Sequence, residues 1–130
     1  MAYYLDTSAL VKLVVEEAET PALREWWRSH GTTPVACDLV RTELMRAVRR
    51  AAPEAAVQAH AVLDGLVLLS VTSRVFDVAG RLEPATLRSL DAIHLAAALE
   101  LGDDLEAIVT YDERLAEAAV AYGVAVVAPA

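Results

Sequence analysis

Six side chains in this 130-residue sequence are of types, and at places, that could do chemistry together. Asp6 ends a short apolar run, Ala2-Tyr3-Tyr4-Leu5, and the hydroxyls of Thr7 and Ser8 follow it. Asp112 follows a second apolar run, Ala107 to Thr110, whose last residue is again a hydroxyl. Asp91 stands in the first turn of a strongly apolar helix, and Glu43 lies about one turn into another, close to its apolar stripe. Each acid alone has a plainer reading. Asp6 and Asp112 suit helix N-caps, Asp91 complements a helix dipole, and Glu43 fits a solvated helix face. Together they describe a cleft of carboxylates, which repel one another and raise their own pKa values unless a cation joins them. Hard oxygen donors suit Mg²⁺ or Mn²⁺. Such ions activate water and offset charge on a phosphodiester, so metal-dependent phosphodiester hydrolysis is the matching chemistry.

The elements around these residues decide whether the acids can meet. Ala2 to Leu5 reads as a strand, and Leu10, Val11, Leu13, Val14 and Val15 resume at helical spacing. Thr20-Pro21 marks a helix start, with Thr20 as N-cap, and that helix runs to about His30 and stops at Gly31. Pro34 to Cys37 reads as a buried strand. Asp38 caps a helix through about Ala51, and Pro53 opens another that ends at Asp64-Gly65. Leu66 to Val71 is an apolar strand, and Ser73 caps a helix through about Leu82 that Glu83-Pro84 breaks. Leu90 to Leu101 is helical and Gly102 closes it. Ala107 to Thr110 is a strand, Asp112 caps a helix to Tyr122-Gly123, and Val124 to Val127 is the last strand. Strands that are apolar throughout, alternating with helices, predict an α/β fold: a three-layer α/β/α sandwich around a mainly parallel sheet of four to five strands. In such a sheet, strand ends and the starts of the following helices share one edge, so all four acids are expected to face one cleft.

Composition narrows the partners. The length suits one domain over residues 1–130, and the apolar fraction of 56% demands extensive burial. A net charge of −8 argues against holding nucleic acid by bulk electrostatics and agrees with acids gathered around a divalent ion. Lys12 is the one lysine among eleven Lys and Arg residues. Cys37 is the sole cysteine, so no intramolecular disulfide forms. No apolar run reaches the roughly 18 residues of a membrane span, and the start lacks a basic leader, so the expected place is the cytoplasm.

Four segments carry a resemblance that spans essentially the whole chain. They are Tyr4-Leu-Asp-Thr-Ser-Ala-Leu10, Arg41-Thr-Glu-Leu44, Leu90-Asp-Ala-Ile-His-Leu-Ala-Ala97 and Val109-Thr-Tyr-Asp-Glu-Arg-Leu115. In their order and spacing the sequence resembles a PIN-domain ribonuclease, specifically a VapC toxin of a type II toxin–antitoxin pair. The resemblance implies that Asp6, Glu43, Asp91 and Asp112 match the family's acidic metal-binding and catalytic quartet. Ser8 and Thr110 match hydroxyls beside the metals. It further implies one or two Mg²⁺ or Mn²⁺ ions, in-line attack of water on RNA leaving 5′-phosphate and 3′-hydroxyl ends, a homodimer, and inhibition by a VapB antitoxin in a hetero-oligomer.

Other residues are secondary. His94 shares a helix face with Asp91 and reads as a core residue or a neighbour of the ligands rather than a ligand. Arg41, Arg46, Arg49 and Arg50 form the densest basic group, on the helix that carries Glu43, suited to guiding RNA phosphates or contacting the antitoxin. Trp26 and Trp27 are adjacent, so both cannot enter the same core, and exposed aromatics of this kind suit an antitoxin groove. A phosphoaspartyl phosphatase needs a second acid where Ser8 stands, and a receiver domain needs a late lysine the chain lacks. The remaining alternatives are a PIN nuclease of RNA processing and a catalytically silent PIN-like scaffold.

Overall fold

The computed structural model describes residues 1–30 and 33–130. Strand β1 (Ala2–Leu5) leads through Asp6 into α1 (Thr7–Val14), and α2 (Thr20–Ser29) follows. Strand β2 (Thr33–Cys37), α3 (Leu39–Ala51), a 3₁₀ turn (Pro53–Ala55), α4 (Ala56–Asp64) and β3 (Val67–Leu69) come next. The second half runs α5 (Ser73–Ala79), α6 (Ser89–Leu99), a 3₁₀ turn (Gly102–Asp104), β4 (Leu105–Val109), α7 (Glu113–Ala121) and β5 (Val126–Val127).

The five strands form one sheet in the order β3-β2-β1-β4-β5, and every pairing is parallel. Alternation along the strands builds the layers. Tyr4, Cys37 and Ile108 enter one core with Val75 of α5, Leu95 of α6 and Leu115 of α7. Their neighbours Leu5, Ala36 and Val109 enter the opposite core with Leu10, Leu23, Leu44 and Leu63 from α1 to α4. A sheet buried on both faces accounts for the apolar content and for strands without polar alternation. The expected three-layer α/β/α sandwich is the observed architecture.

The strand order fixes where a ligand belongs. From β1 the chain winds outward through β2 to β3, then returns to lay β4 against the other side of β1. The carboxyl ends of β1 and β4 therefore flank the point where winding reverses, the usual crevice of an open parallel sheet. Tyr4 pairs with Val35 on one side and Ile108 on the other, and the Asp6 amide donates to the Val109 carbonyl at 3.3 Å.

Several boundaries differ from the sequence expectation for local reasons. Thr20 lies inside α2, after Glu19. Its buried hydroxyl donates to the Lys12 carbonyl (2.8 Å) and accepts from the Glu17 amide (2.9 Å), tying the end of α1 to the start of α2. Asp38 makes no capping bond to α3 and instead takes the Arg41 guanidinium at 3.1 Å. Thr72, not Ser73, caps α5, accepting from the Val75 amide at 3.3 Å. The expected strands Leu66 to Val71 and Val124 to Val127 shorten to Val67–Leu69 and Val126–Val127. Both are edge strands, laddered on one side only, so their ends have little to pair with. Helix α6 ends at Leu99, and Gly102 takes a positive φ of 54° at the following turn. The expected stop of α2 at Gly31 lies outside the described residues. Among the described residues, no helix is long and apolar enough to cross a membrane.

Candidate active site

Asp6 is held from several sides. It is the N-cap of α1, and its side chain is only 4% exposed. Its Oδ1 accepts from the Ser8 hydroxyl (2.7 Å) and the Ala9 amide (3.2 Å), and its Oδ2 accepts from the Thr110 hydroxyl (2.6 Å). The two hydroxyls are themselves oriented. Ser8 Oγ accepts from the Tyr111 amide at 2.9 Å, and Thr110 Oγ1 accepts from the Asp112 amide at 3.0 Å. With both lone-pair demands met by the backbone, each hydroxyl proton is directed at Asp6. Residues separated by about a hundred positions thus close on one carboxylate because β1 and β4 are neighbours. Burial raises the Asp6 carboxyl above its ordinary pKa, while the Thr110, Ser8 and Ala9 donors and the charge of His94 oppose that rise.

Asp112 starts α7 on the adjacent loop and caps it as expected. Its Oδ1 accepts from the Arg114 amide (2.9 Å) and the Leu115 amide (3.2 Å). Asp91 lies in the first turn of α6. Its carboxyl is raised by burial, next by the charge on Asp112, and also by that on Asp6. The positive charges of His94 and Arg88 work the other way. Asp91 therefore feels the charges of acids from two other segments at the switch point, and its carboxylate accepts no hydrogen bond from the described residues.

Glu43 approaches from α3. Its Oε1 accepts from the Thr7 hydroxyl (2.8 Å) and from His94 Nε2 (2.7 Å). Burial alone would raise its carboxyl, but the hydrogen bond and charge of His94 carry it below the ordinary glutamate value. His94 is 2% exposed, and its Nδ1 lies 2.8 Å from the Tyr4 hydroxyl and 3.8 Å from Cys37 Sγ. Burial disfavours the charged ring, yet Cys37 and Glu43 together push its pKa up. The sequence placed His94 in the core and Cys37 as a small buried apolar residue, and both are buried. Sequence reasoning missed the pairings that make His94 the counter-charge to Glu43, Asp6 and Asp91, and it missed Thr7 as a donor and Arg88 as the cation acting on Asp91.

The arginines singled out on α3 have surroundings of their own. Arg41 pairs with Asp38, and Arg46 and Arg49 line a groove of about 300 Å³ with Met45, Pro53 and Ala56. Trp26 and Trp27 diverge. Trp26 packs edge-on against Tyr3, with ring centroids 4.8 Å apart, and stacks on His30. Trp27 lines a mostly apolar groove of about 400 Å³ between α1, α2 and α4, with Leu13, Arg24, Ala61 and Val62 among its walls.

The donor set is one that a hard cation takes, carboxylates with two hydroxyls beside them. Among the described residues, no three of the His, Cys, Asp and Glu side chains form a ready-made ion cage. Asp6, Glu43 and Asp112 each turn to their own donors. The Asp91 carboxyl is raised by burial first and then by the charges of Asp112 and Asp6, a repulsion that a divalent cation would relieve.

Comparison with known proteins gives the family and the fold. The PIN domain profile matches residues 3–121. Ribonuclease VapC46 of Mycobacterium tuberculosis is 48% identical, over 98% of this chain and 98% of its own length. Among solved structures, M. tuberculosis VapC20, described as a sarcin-ricin loop cleaving toxin, superposes with a TM-score of 0.79 at 21% identity, covering 98% of this chain and 99% of that one. A chain of a toxin–antitoxin complex from Klebsiella pneumoniae gives a TM-score of 0.74 at 18% identity, covering 98% of each chain. At those identities the two structures speak to the fold alone.

Proposed function

The chain belongs to the PIN-domain family, in its VapC ribonuclease branch, and from that premise we propose that it is a divalent-metal-dependent endoribonuclease acting as the toxin of a toxin–antitoxin pair. The observation that carries the reading is the buried Asp6, gripped by three donors where β1 and β4 part, with Asp91 and Asp112 within electrostatic reach. Asp6, Asp91, Asp112 and Glu43 would hold one or two Mg²⁺ or Mn²⁺ ions. A bound ion supplies Lewis acidity, making water a better nucleophile near neutral pH and offsetting charge on the phosphate oxygens.

The residues of the chain do the rest. Ser8 and Thr110 fix the plane of the Asp6 carboxylate so that it need not reorient when an RNA phosphate arrives. Thr7 and His94 do the same for Glu43. Asp91, which accepts no hydrogen bond from described residues, is the acid best able to adjust. Cleavage leaves 5′-phosphate and 3′-hydroxyl ends. The net charge of −8 means that affinity for RNA arises locally, through the metal site and nearby guanidiniums such as Arg88.

The apolar groove beside Trp27 is our candidate seat for a segment of a VapB-type antitoxin, because it is lined by aromatic and aliphatic carbon with Arg24 and Arg28 at its margin. We read residues 1–130 as one PIN domain that works in the cytoplasm, as a homodimer or within a hetero-oligomer with the antitoxin.

The test is cleavage of a structured RNA with Mg²⁺ or Mn²⁺, compared with EDTA and with Asp6→Asn. Strand scission in the metal-loaded wild type alone supports the reading. Equal scission in all three samples refutes the metal mechanism, and no scission in any favours a binding scaffold. A parallel single-stranded DNA substrate separates a ribonuclease from a DNA-cleaving relative.

A further inference from the structure

We infer that His94 is a positioning residue that aims Glu43 into the acidic site, and that Tyr4 on the central strand sets His94. This deepens the metal-site reading above and rests on it. The chain of contacts is continuous, buried between Tyr4 and His94 and part-buried where it reaches Glu43. The Tyr4 hydroxyl lies 2.8 Å from Nδ1 of His94, and Nε2 of the same ring donates to Glu43 Oε1 at 2.7 Å. Tyr4 and His94 are 0% and 2% exposed, so neither bond is exchanged readily with water.

Two features make this more than a satisfied core histidine. The first is that both bonds reaching the Glu43 carboxylate, from Thr7 and from His94, fall on Oε1. Oε2 receives no hydrogen bond from the described residues. Holding one oxygen from two sides fixes the carboxylate plane and leaves the other oxygen for a ligand. The second is the origin of the donors. Tyr4 is two residues before Asp6 on the same strand, and Thr7 is the residue after it. His94 is on α6, one turn beyond Asp91. The groups that orient Glu43 thus come from the two segments that carry Asp6 and Asp91, so the acid on α3 is registered against the other two although its own helix packs on the opposite core.

The experiment uses the full chain and measures Mn²⁺ affinity by calorimetry or by the free-ion resonance signal, beside circular dichroism and thermal unfolding. His94→Ala is expected to weaken Mn²⁺ binding roughly ten- to a hundredfold, the usual cost of removing a group that orients a ligand. His94→Gln, whose amide reaches Glu43 with a donor of similar length, is expected to recover affinity to within about threefold of wild type. Tyr4→Phe, which keeps the packing but loses the hydroxyl, is expected to weaken binding by a smaller factor. Wild-type affinity in folded His94→Ala overturns the inference, as does a folded His94→Gln that binds as poorly as His94→Ala. Asp6→Asn is the separate control. If it binds Mn²⁺ like wild type, the metal site itself is misassigned, whatever His94 does.

Discussion

Replacing Asp6 separates its chemical role from its structural one, because Asn and Ala remove the charge in different ways. In Asp6→Asn the remaining oxygen still accepts from Ser8 and from the Ala9 amide, as Oδ1 does now at 2.7 and 3.2 Å. The new amide faces Thr110, whose hydroxyl can accept it and turn its own proton toward Ser8, 3.3 Å away. The loss is the extra strength of charge-assisted bonds, about 1 kcal/mol. The gain is a carboxylate no longer held in a buried site beside other acids, a cost seen in its raised pKa. The expected net effect is within about 1 kcal/mol of wild type near neutral pH, on the stable side if burial outweighs the bonds. Asp6→Ala removes the cap, about 1 kcal/mol, and strands two hydroxyl donors in a buried place, about 1–3 kcal/mol each before they rearrange. We expect it to lose about 2–4 kcal/mol, while neither variant cleaves RNA.

Urea unfolding followed by fluorescence of Trp26 and Trp27 measures both variants, and pH supplies an internal check. A carboxyl whose folded pKa is raised binds protons more readily folded than unfolded, so its penalty is full above the folded pKa. The penalty shrinks as the pH falls through that value and is gone by the unfolded value of 3.8. Any advantage of Asp6→Asn over wild type should therefore narrow as the solution is acidified from about pH 7.5 toward about pH 4. An Asp6→Asn protein that unfolds as easily as Asp6→Ala would refute the rerouted network and return Asp6 to a purely structural role.

Other expectations follow from the same geometry. Trp27→Ala should weaken antitoxin binding by roughly tenfold or more while Trp26→Ala, whose ring is engaged by Tyr3 and His30, acts mainly on stability. A titration with both variants showing Trp27→Ala within about threefold of wild type would remove the groove from consideration. Leu95→Ala, at a fully buried position of α6, should cost about 2–5 kcal/mol in urea unfolding. A smaller loss would mean that α6 is loosely packed. The raised His94 pKa gives stability that is fully present below the unfolded value of 6.5 and is lost as the pH rises toward about 10. The stability difference between wild type and His94→Gln should accordingly shrink across that interval, and a difference that grows with pH would contradict a protonated ring paired with Glu43.

The layered architecture was legible because each strand is apolar throughout and each helix has a one-sided stripe. Asp6, Asp91 and Asp112 were legible for a related reason: a parallel sheet puts strand ends and helix starts on one edge, so position in the pattern stands in for position in space. What the sequence concealed depends on packing between distant elements. The bond from His94 to Glu43 joins residues 51 apart and exists because α6 and α3 cover opposite faces of β2 and β1 and meet beyond their ends. The arginine group was visible as a density along α3, but its surroundings were not: Arg46 and Arg49 line the groove at Pro53, and Asp38 takes Arg41. The caps at Thr20 and Ser73 each slipped by one residue, the first because the Thr20 hydroxyl bonds Lys12 and Glu17, the second because Thr72 supplies the cap.

The placement of β1 at the centre of the sheet has a consequence for how the protein is born. β1 is made before the other strands of the sheet, yet one of its two neighbours, β4, is laid down only at Leu105–Val109. Until then Asp6 lacks the Thr110 hydroxyl, and Asp112 does not exist. Pairing across so long a stretch is also slow, because the loop must close before the contacts reward it. The acidic cleft is therefore among the last things the nascent chain completes. On the metal-site reading, catalysis has to wait until β4 is laid beside β1.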